Sequence, residues 1–386
     1  MNQINKDLKA FRLSDLLLLI GACALFLPHT LTVIVLVVIV GIAVFKLDLV
    51  QNIKDQKWKY LAFGFTLSEA IVSIIYKNWT GLMISASFAL LFMYISFFRE
   101  HINKKVLSYI IECSLLCSLI VCIYALFQFN QISIDNGYQF TDFHIFNSPK
   151  RRIYGTFQNA NIFALMLEFM LACCLYRFLQ TKQILLKVWY VFLAFFQFAL
   201  ILLSGCRAAL VPLVFVIPIM LICSKQKKLL ITYLICIVII LGTVFTHPNL
   251  IPRFNDFSTI ESRMKIWKVA VKGIKKWPLF GNGPWTYSHI YARYHGHKAV
   301  FCHNIYLEMI SSFGIVGTIP LLAYIKELFA SVASMKKKDA LFFSLAVSCI
   351  VIVMIHGLVD GTLYPIKTNV FLLMMISSDK VFSKKL

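Results

Sequence analysis

Long apolar runs follow one another along nearly the whole chain, separated by short polar segments. A helix that crosses a bilayer needs roughly 20 apolar residues, and every backbone polar group in lipid must be satisfied within the chain. The alternating pattern of a membrane β-barrel is absent. The sequence therefore predicts an all-α integral membrane protein with about 12 transmembrane helices. The predicted spans are residues 12–27, 31–45, 60–76, 81–98, 106–129, 157–179, 188–204, 208–223, 229–246, 303–325, 340–358 and 363–379.

The basic residues between these runs predict the orientation. Most of the 38 Lys and Arg residues fall in every second loop, as expected of cytoplasmic loops. This alternation fits a single polytopic domain, residues 1–386, with both termini in the cytoplasm. It requires the two short runs on either side of Pro28 to cross separately. The first run is expected to be retained rather than cleaved as a signal, because no small-residue cleavage site follows Leu27.

Composition changes this picture little. The chain is 60% hydrophobic and has a formal net charge of +21. Because the inside charges come as short separate clusters, they indicate membrane topology, and no nucleic-acid partner is expected. Membrane lipids are the expected surroundings.

The longest polar segment, residues 247–302, lies between predicted spans nine and ten and is expected to be external. It carries nine Lys and Arg residues against two acids, Asp256 and Glu261. Long loops are exempt from the charge rule, so this basic content indicates a site for an anionic group. Residues 262–277 within it have helical spacing, with lysines on one side, and predict an amphipathic helix lying on the outer membrane surface. A smaller outer segment, Asn130–Tyr154, is also predicted.

Two arginines are the candidate ligands for that anion. Arg207 lies in a very short outer turn, where a charge is costly unless it is paired or reaches polar surroundings. It is either a snorkelling anchor or a bidentate phosphate ligand. Arg263 opens the amphipathic helix and is either a solvated residue or a second phosphate ligand. The lysines of that helix are expected to supply general attraction to the surface.

His303 and Asn304 begin the span that follows the long segment. His303 is either a structural hydrogen-bonding group or a general base. Glu308 lies one turn after Asn304, at the spacing that would orient it.

Further polar residues mark other span ends on the outer side. Asn159 and Asn161 are expected to cap a span and line an outer cavity. His356 and Asp360 end another span, where packing or capping is favoured over a direct contact with substrate.

No metal or cofactor is expected. External carboxylates are few and no outer Asp-x-Asp pair exists, which argues against a metal on a diphosphate and against a glycosidase acid pair. His295, His297, Cys302 and His303 fit no standard zinc spacing. Most of the 11 cysteines fall in spans and are expected to act as small apolar residues. A disulfide between Cys206 and Cys302 stays open.

Six short motifs follow one another between residues 150 and 320. They are Gly155-Thr-Phe-x-Asn159-x-Asn161-x-x-Ala164, Ser204-Gly-Cys-Arg207-Ala, Arg263-x-x-x-Trp267, Pro278-Leu-Phe-Gly281-x-Gly283, His303-Asn304-x-Tyr306-Leu307-Glu308 and Gly314-Ile-Val-Gly317. Each is weak alone, but the ordered set resembles the O-antigen ligase and surface polysaccharide polymerase family, the Wzy/WaaL type. One departure is Cys206, since a Ser often stands directly before the Arg in that family.

The resemblance implies a metal-independent glycosyltransferase at the outer face of the bacterial plasma (inner) membrane. Such an enzyme moves a glycan from undecaprenyl pyrophosphate to a hydroxyl of an acceptor glycan or lipid. By resemblance, Arg207 and Arg263 bind the pyrophosphate and His303 handles the acceptor, and attack from the opposite face of the sugar predicts inversion. Secondary substrate contacts are expected at Asn159, Asn161, Asn304, Glu308 and His356.

Several readings of the function stay open at this point. Polymerase and ligase differ only in the acceptor, and the sequence does not separate them. A transporter or flippase of lipid-linked glycans, and a receptor or scaffold that only binds through the long segment, are the alternatives.

Overall fold

A computed structural model describes residues 11–54, 56, 58–141, 151–247 and 258–382. These residues form helices, and no β-strand occurs among them, so the all-α prediction is confirmed. The α-helices in chain order are α1 Leu13–Ala24, α2 His29–Lys46, α3 Leu49–Lys54, α4 Lys59–Ile75, α5 Trp79–His101, α6 Lys104–Asp135, α7 Ala160–Gln180, α8 Ile184–Leu203, α9 Leu210–Cys223, α10 Lys227–Thr246, α11 Ser258–Lys276, α12 Thr286–Ile290, α13 Ile305–Met335, α14 Ala340–His356 and α15 Ile366–Ile376.

Each predicted apolar run coincides with one of these helices. Seven of the described helices are long and apolar enough to cross a membrane, namely α2, α5, α6, α7, α8, α10 and α13. Helices α1 and α14, and residues 207–223, are shorter apolar helices. The chain is therefore a multi-pass membrane protein, whereas the count of twelve crossings and the external position of residues 247–302 stay predictions. The basic clusters of the two termini fall largely, and residues 248–257 entirely, outside the described residues.

Helix α6 continues six residues beyond the predicted end at residue 129. Its last turns are polar, but they bind the segment that follows instead of facing lipid. The Gln128 side-chain oxygen accepts hydrogen bonds from the backbone of Tyr154 and Gly155 at 2.9 and 3.0 Å. Ser133 accepts one from Arg151 at 2.7 Å. Because hydropathy alone defines the predicted span, it could not include this polar, protein-facing end.

The core of the bundle is centred on α7. Most of its residues are buried, and it packs against α6, α8, α9 and α14. In contrast, no side chain of α10 is buried, as expected for a helix surrounded by lipid.

The predicted amphipathic helix forms as α11, and protein covers its predicted apolar face. Ile266, Val269 and Ala270 are buried in a small cluster with Tyr287 and Ile290 of the same outer segment. The lysines on the opposite face are exposed. The sequence pattern shows that a helix has an apolar face and does not say what covers that face. The helix is therefore packed on its own segment, and its position on the membrane surface stays a prediction.

The glycine motifs of the outer segment and of α13 fit together. Helix α13 breaks at Gly314, whose φ of 59° and ψ of −166° are not helical. The break leaves backbone groups without helical partners, and residues 278–283 provide them. The N–H groups of Ile315 and Val316 donate to the carbonyls of residues 278 and 279 at 3.0 and 2.8 Å. The Ser312 carbonyl accepts from the N–H groups of residues 282 and 283. We call this contact the glycine interlock.

The interlock allows no side chain at its centre. A Cβ on Gly281 would lie 2.1 Å from the Ser312 carbonyl oxygen, and one on Gly314 would lie 2.4 Å from the carbonyl oxygen of Leu279. Asn78, at the start of α5, fixes the same segment by donating to the carbonyls of Asn282 and Pro284 at 3.1 and 2.8 Å. The outer segment is therefore held to the helix bundle through its backbone.

Replacing Gly281 by Ala is expected to destabilise the protein more than the matched change at Gly137. Both glycines have positive φ, 63° and 78°, a conformation that costs an L-residue about 1–2 kcal/mol. Among the described residues, nothing lies within 4 Å of a Cβ on Gly137, so we expect only Gly281→Ala to add an overpacking cost of about 1–3 kcal/mol. The measurement is the Tm of the purified protein in detergent. Equal melting temperatures for the two variants would contradict the interlock.

Candidate functional site

A cavity of about 360 Å³ lies where the start of α11, the turn before α9 and the segment before α13 meet. Four basic side chains line it: Arg152, Arg207, Arg263 and Lys298. No Asp or Glu of the described residues lines it. The cavity therefore has a positive potential that suits a polyanion.

Arg207 is presented by a tight turn between α8 and α9. Gly205 takes a left-handed φ of 62°, and residues 207–209 form one turn of 3-10 helix. The Ser204 hydroxyl accepts a hydrogen bond from the Cys206 N–H at 3.2 Å, which closes the turn. This geometry places the half-buried Arg207 in the cavity wall.

Arg152 is a third arginine of the cavity, which the sequence analysis did not select. Its Nε donates to the Ser204 carbonyl at 2.7 Å, and a terminal nitrogen donates to the Asn161 side-chain oxygen. Asn159 caps α7 by accepting from the N–H groups of residues 161 and 162 at 3.0 and 2.9 Å. Both asparagines line the cavity as expected. The available signal was the run Lys150-Arg151-Arg152, since basic residues are otherwise scarce on that predicted face.

Arg263 and Trp267 lie one turn apart on α11. Arg263 lines the cavity, while the Trp267 indole N–H donates to the Cys302 carbonyl at 3.1 Å. The tryptophan thus ties α11 to the residue directly before His303. This explains the spacing of the Arg-x-x-x-Trp motif, because side chains four apart on a helix lie on the same face.

His303 has a left-handed backbone conformation, φ 51°, and is partly exposed to the cavity. Its Nδ1 lies 2.9 Å from Asp360 Oδ1, and its ring packs on Phe301 with centroids 4.7 Å apart. Burial alone would raise the pKa of Asp360, but the hydrogen bond from His303 and the nearby His356 outweigh it and hold this pKa well below its ordinary value. Asp360 is therefore a carboxylate that accepts the Nδ1–H of His303, which leaves the His303 Nε2 lone pair free to accept a proton.

Asn304 and Glu308 both support the segment around His303. Their side chains do not contact each other, although their spacing predicted that contact. The Asn304 side chain caps α13 by accepting from the N–H groups of Tyr306 and Leu307, both at 3.0 Å. The buried Glu308 carboxylate instead accepts from the Cys302 N–H at 2.6 Å and from the Tyr364 hydroxyl at 3.0 Å. The helical spacing is right, but a cap turns the Asn304 side chain back to its own backbone. Neither side chain lines the cavity.

His356 lies behind the cavity wall and does not line it. Its Nδ1 is 2.5 Å from Glu168 Oε1, and its Nε2 is 3.9 Å from Cys206 Sγ. It is fully enclosed, with 1% of its surface exposed, so it reaches the cavity only through its neighbours.

Cys206 and Cys302 are both free thiols and do not form a disulfide. The Cys302 sulfur lies 3.6 Å from the Ser311 hydroxyl, whereas the Cys206 sulfur lies 3.9 Å from His356 Nε2. Burial, together with the nearby Glu308, raises the pKa of Cys302 well above its ordinary value, so it acts as a small neutral side chain. The four residues weighed as a zinc set do not group as metal ligands within the described part of the chain.

Comparison with protein families finds one match, to the family described as O-Antigen ligase (Wzy_C), over residues 191–322. This confirms the resemblance seen in the sequence motifs. The matched stretch includes Arg207, Arg263 and His303 and ends within α13, before His356 and Asp360. No curated protein matches the chain.

Inorganic pyrophosphate is expected to raise the Tm of the wild-type protein, because a ligand held by the cavity stabilises the folded state by RT ln(1 + [L]/Kd). Arg207→Gln should remove most of this shift. Arg293→Gln is the matched control, because Arg293 is an exposed arginine of the same outer segment that does not line the cavity. Equal shifts in both variants at constant ionic strength would contradict an anion site at Arg207.

Proposed function

From the O-antigen ligase family sequence in residues 191–322, we propose that this protein transfers a glycan from a polyprenyl diphosphate donor to an acceptor hydroxyl. The observation that carries the proposal is one cavity lined by three arginines and by His303, whose Nδ1 is bound from behind by Asp360. Guanidinium groups suit a diphosphate, and an imidazole base suits a hydroxyl. The same cavity thus holds groups for both substrates. By the resemblance, the donor lipid is undecaprenyl pyrophosphate.

The diphosphate leaving group gains negative charge as the bond between the sugar and the phosphate oxygen breaks. Fixed cations aimed at that charge lower the barrier, because they need no reorganisation during the reaction. Arg207 and Arg263 approach the cavity from two different elements, the turn before α9 and the start of α11. They can therefore bind the diphosphate from two sides. Arg152 and Lys298 add positive charge to the same cavity.

His303 is the proposed general base. With its Nδ1–H held by Asp360, Nε2 accepts the proton of the acceptor hydroxyl as that oxygen attacks C1 of the donor sugar. The electron pair of the broken bond leaves with the diphosphate, and His303 later releases its proton to solvent. Attack from the face opposite the diphosphate inverts the anomeric configuration.

We propose that this transfer does not require a divalent ion. A hard cation such as Mg²⁺ prefers oxygen ligands. The charged groups that line the cavity are guanidinium and ammonium groups, which can neutralise the diphosphate directly.

The acceptor class remains a choice between two members of one reaction type. A second lipid-linked glycan as acceptor makes a polymerase, and a different lipid or glycan makes a ligase. We propose that the donor lipid lies among the helices near Arg207, with the cavity at the outer face of the plasma membrane. Reconstitution with a defined donor oligosaccharide separates the two cases, since a polymerase gives a ladder of products and a ligase gives one discrete transfer. Vesicles that move the donor and form no glycosidic bond would favour the transporter alternative.

His303→Ala is expected to lower kcat about 10²–10⁴-fold in that reconstituted assay, because it removes the base. The KM for the donor should change little, because the arginines that bind the diphosphate stay in place. His289→Ala is the matched control, since His289 is an exposed histidine of the same outer segment outside the cavity. Normal turnover by purified His303→Ala would reject the assignment of His303.

Turnover is expected to continue in the presence of EDTA, because fixed guanidinium groups stabilise the negative charge of the leaving diphosphate. Arg207→Lys keeps the charge and loses the two-pronged hydrogen bonding, so it should lower kcat/KM about 10-fold or more, while the exposed Arg293→Lys should not. Loss of turnover on chelation would overturn the metal-independent mechanism.

A further inference from the structure

Three side chains of types that serve as zinc ligands meet at the wall of the cavity. They are Cys206, from the turn that presents Arg207, and His356 and Asp360, from the end of α14 and the loop after it. All three are buried, and their ligand atoms lie within 4.8 Å of one another. His356 Nε2 is 3.9 Å from Cys206 Sγ and 3.8 Å from Asp360 Oδ2.

The neighbouring groups orient these ligand atoms toward each other. His356 Nδ1 is bound to the Glu168 carboxylate at 2.5 Å, so Nε2 is the ring nitrogen that faces the cluster. Asp360 Oδ1 accepts from His303 and from the Gly361 N–H at 2.9 and 2.8 Å. Asp360 Oδ2 is buried and has no hydrogen-bond partner among the described residues.

The buried acceptor atoms of this cluster are not fully satisfied by hydrogen bonds. A separation of 3.8 Å is too long for a hydrogen bond between His356 and Asp360 Oδ2. The Cys206 thiol offers a single, weak donor. Buried acceptors without donors are costly, and a bound cation would satisfy all three at once. A carboxylate that holds the other nitrogen of the imidazole, as Glu168 does here, is the usual support of a histidine ligand in metal sites.

We propose that Cys206, His356 and Asp360 form a binding site for a Zn²⁺-class ion. Thiolate, imidazole and carboxylate are all ligands of zinc, and three protein ligands leave a fourth position for water. On binding, the Cys206 thiol releases its proton to solvent, and Sγ, Nε2 and Oδ2 each form a bond to the ion. The site shares Cys206 with the lining of the cationic cavity, and its occupation is not required for the proposed glycosyl transfer.

The test is titration of Co²⁺ into chelator-treated, purified full-length protein in detergent. A thiolate-bound, tetrahedral Co²⁺ gives a sulfur-to-metal charge-transfer band and visible absorption, and added Zn²⁺ should displace it. We expect these bands to saturate at one equivalent, to disappear in Cys206→Ser, and to weaken at least 10-fold in apparent affinity in His356→Gln. Cys302→Ser is the matched control. Like Cys206, Cys302 is a buried thiol, but it belongs to the outer segment and its sulfur contacts Ser311 rather than His356.

Two outcomes would overturn the site. One is a folded wild-type protein that develops no charge-transfer band, and the other is a band that persists in folded Cys206→Ser, which would place the ion at another cysteine. Where Cys206→Ser fails to fold, the apparent affinity of folded His356→Gln decides, and an affinity equal to that of the wild type would overturn the site. Glycosyl transfer by the same preparation is a separate readout. Active protein without the band rejects only the ion site, and protein that binds Co²⁺ but transfers no glycan rejects only the proposed function.

Discussion

The backbone hydrogen bonds at the break in α13 are the interaction on which the cavity depends. In a membrane environment, a broken helix is tolerated only where every freed N–H and C=O group finds a partner in the protein. Here residues 278–283 supply those partners, so the break also fixes the outer segment to the bundle. That segment carries Arg263, whereas Arg207 belongs to the bundle itself. The distance between the two proposed diphosphate ligands is therefore set by the glycine interlock.

Charge is divided between the cavity and the layer behind it. The cations face the open space, and the buried acids Glu168, Glu308 and Asp360 lie behind the wall, each bound to named donors. A carboxylate in the cavity would pair with an arginine and weaken its hold on an anion. Placed one layer back, the acids instead orient His356, the backbone before His303, and His303 itself. This arrangement keeps the guanidinium groups directed at a ligand.

Hydropathy predicted the helices well and their ends less well. All twelve apolar runs coincide with helices, because a long apolar stretch has few other ways to satisfy its backbone. The polar last turns of α6 were missed, since they bind Arg151, Tyr154 and Gly155 rather than lipid. Hydropathy also did not predict that the apolar side of α11 packs on the outer segment itself.

The sequence by itself determined the helical membrane fold, the basic outer segment and the residues that carry the family resemblance, because periodicity, charge and ordered motifs are local properties of the chain. Those motifs include Arg207, Arg263 and His303, which the structure brings to one cavity. Only the tertiary structure decided that Arg152 joins them, that Asp360 orients the His303 side chain, and that Asn304 turns back to cap its own helix. These pairings join residues 52 and 57 positions apart, or depend on a choice among several nearby donors. They are fixed by helix packing and by the glycine interlock, neither of which leaves a periodic signal in the sequence.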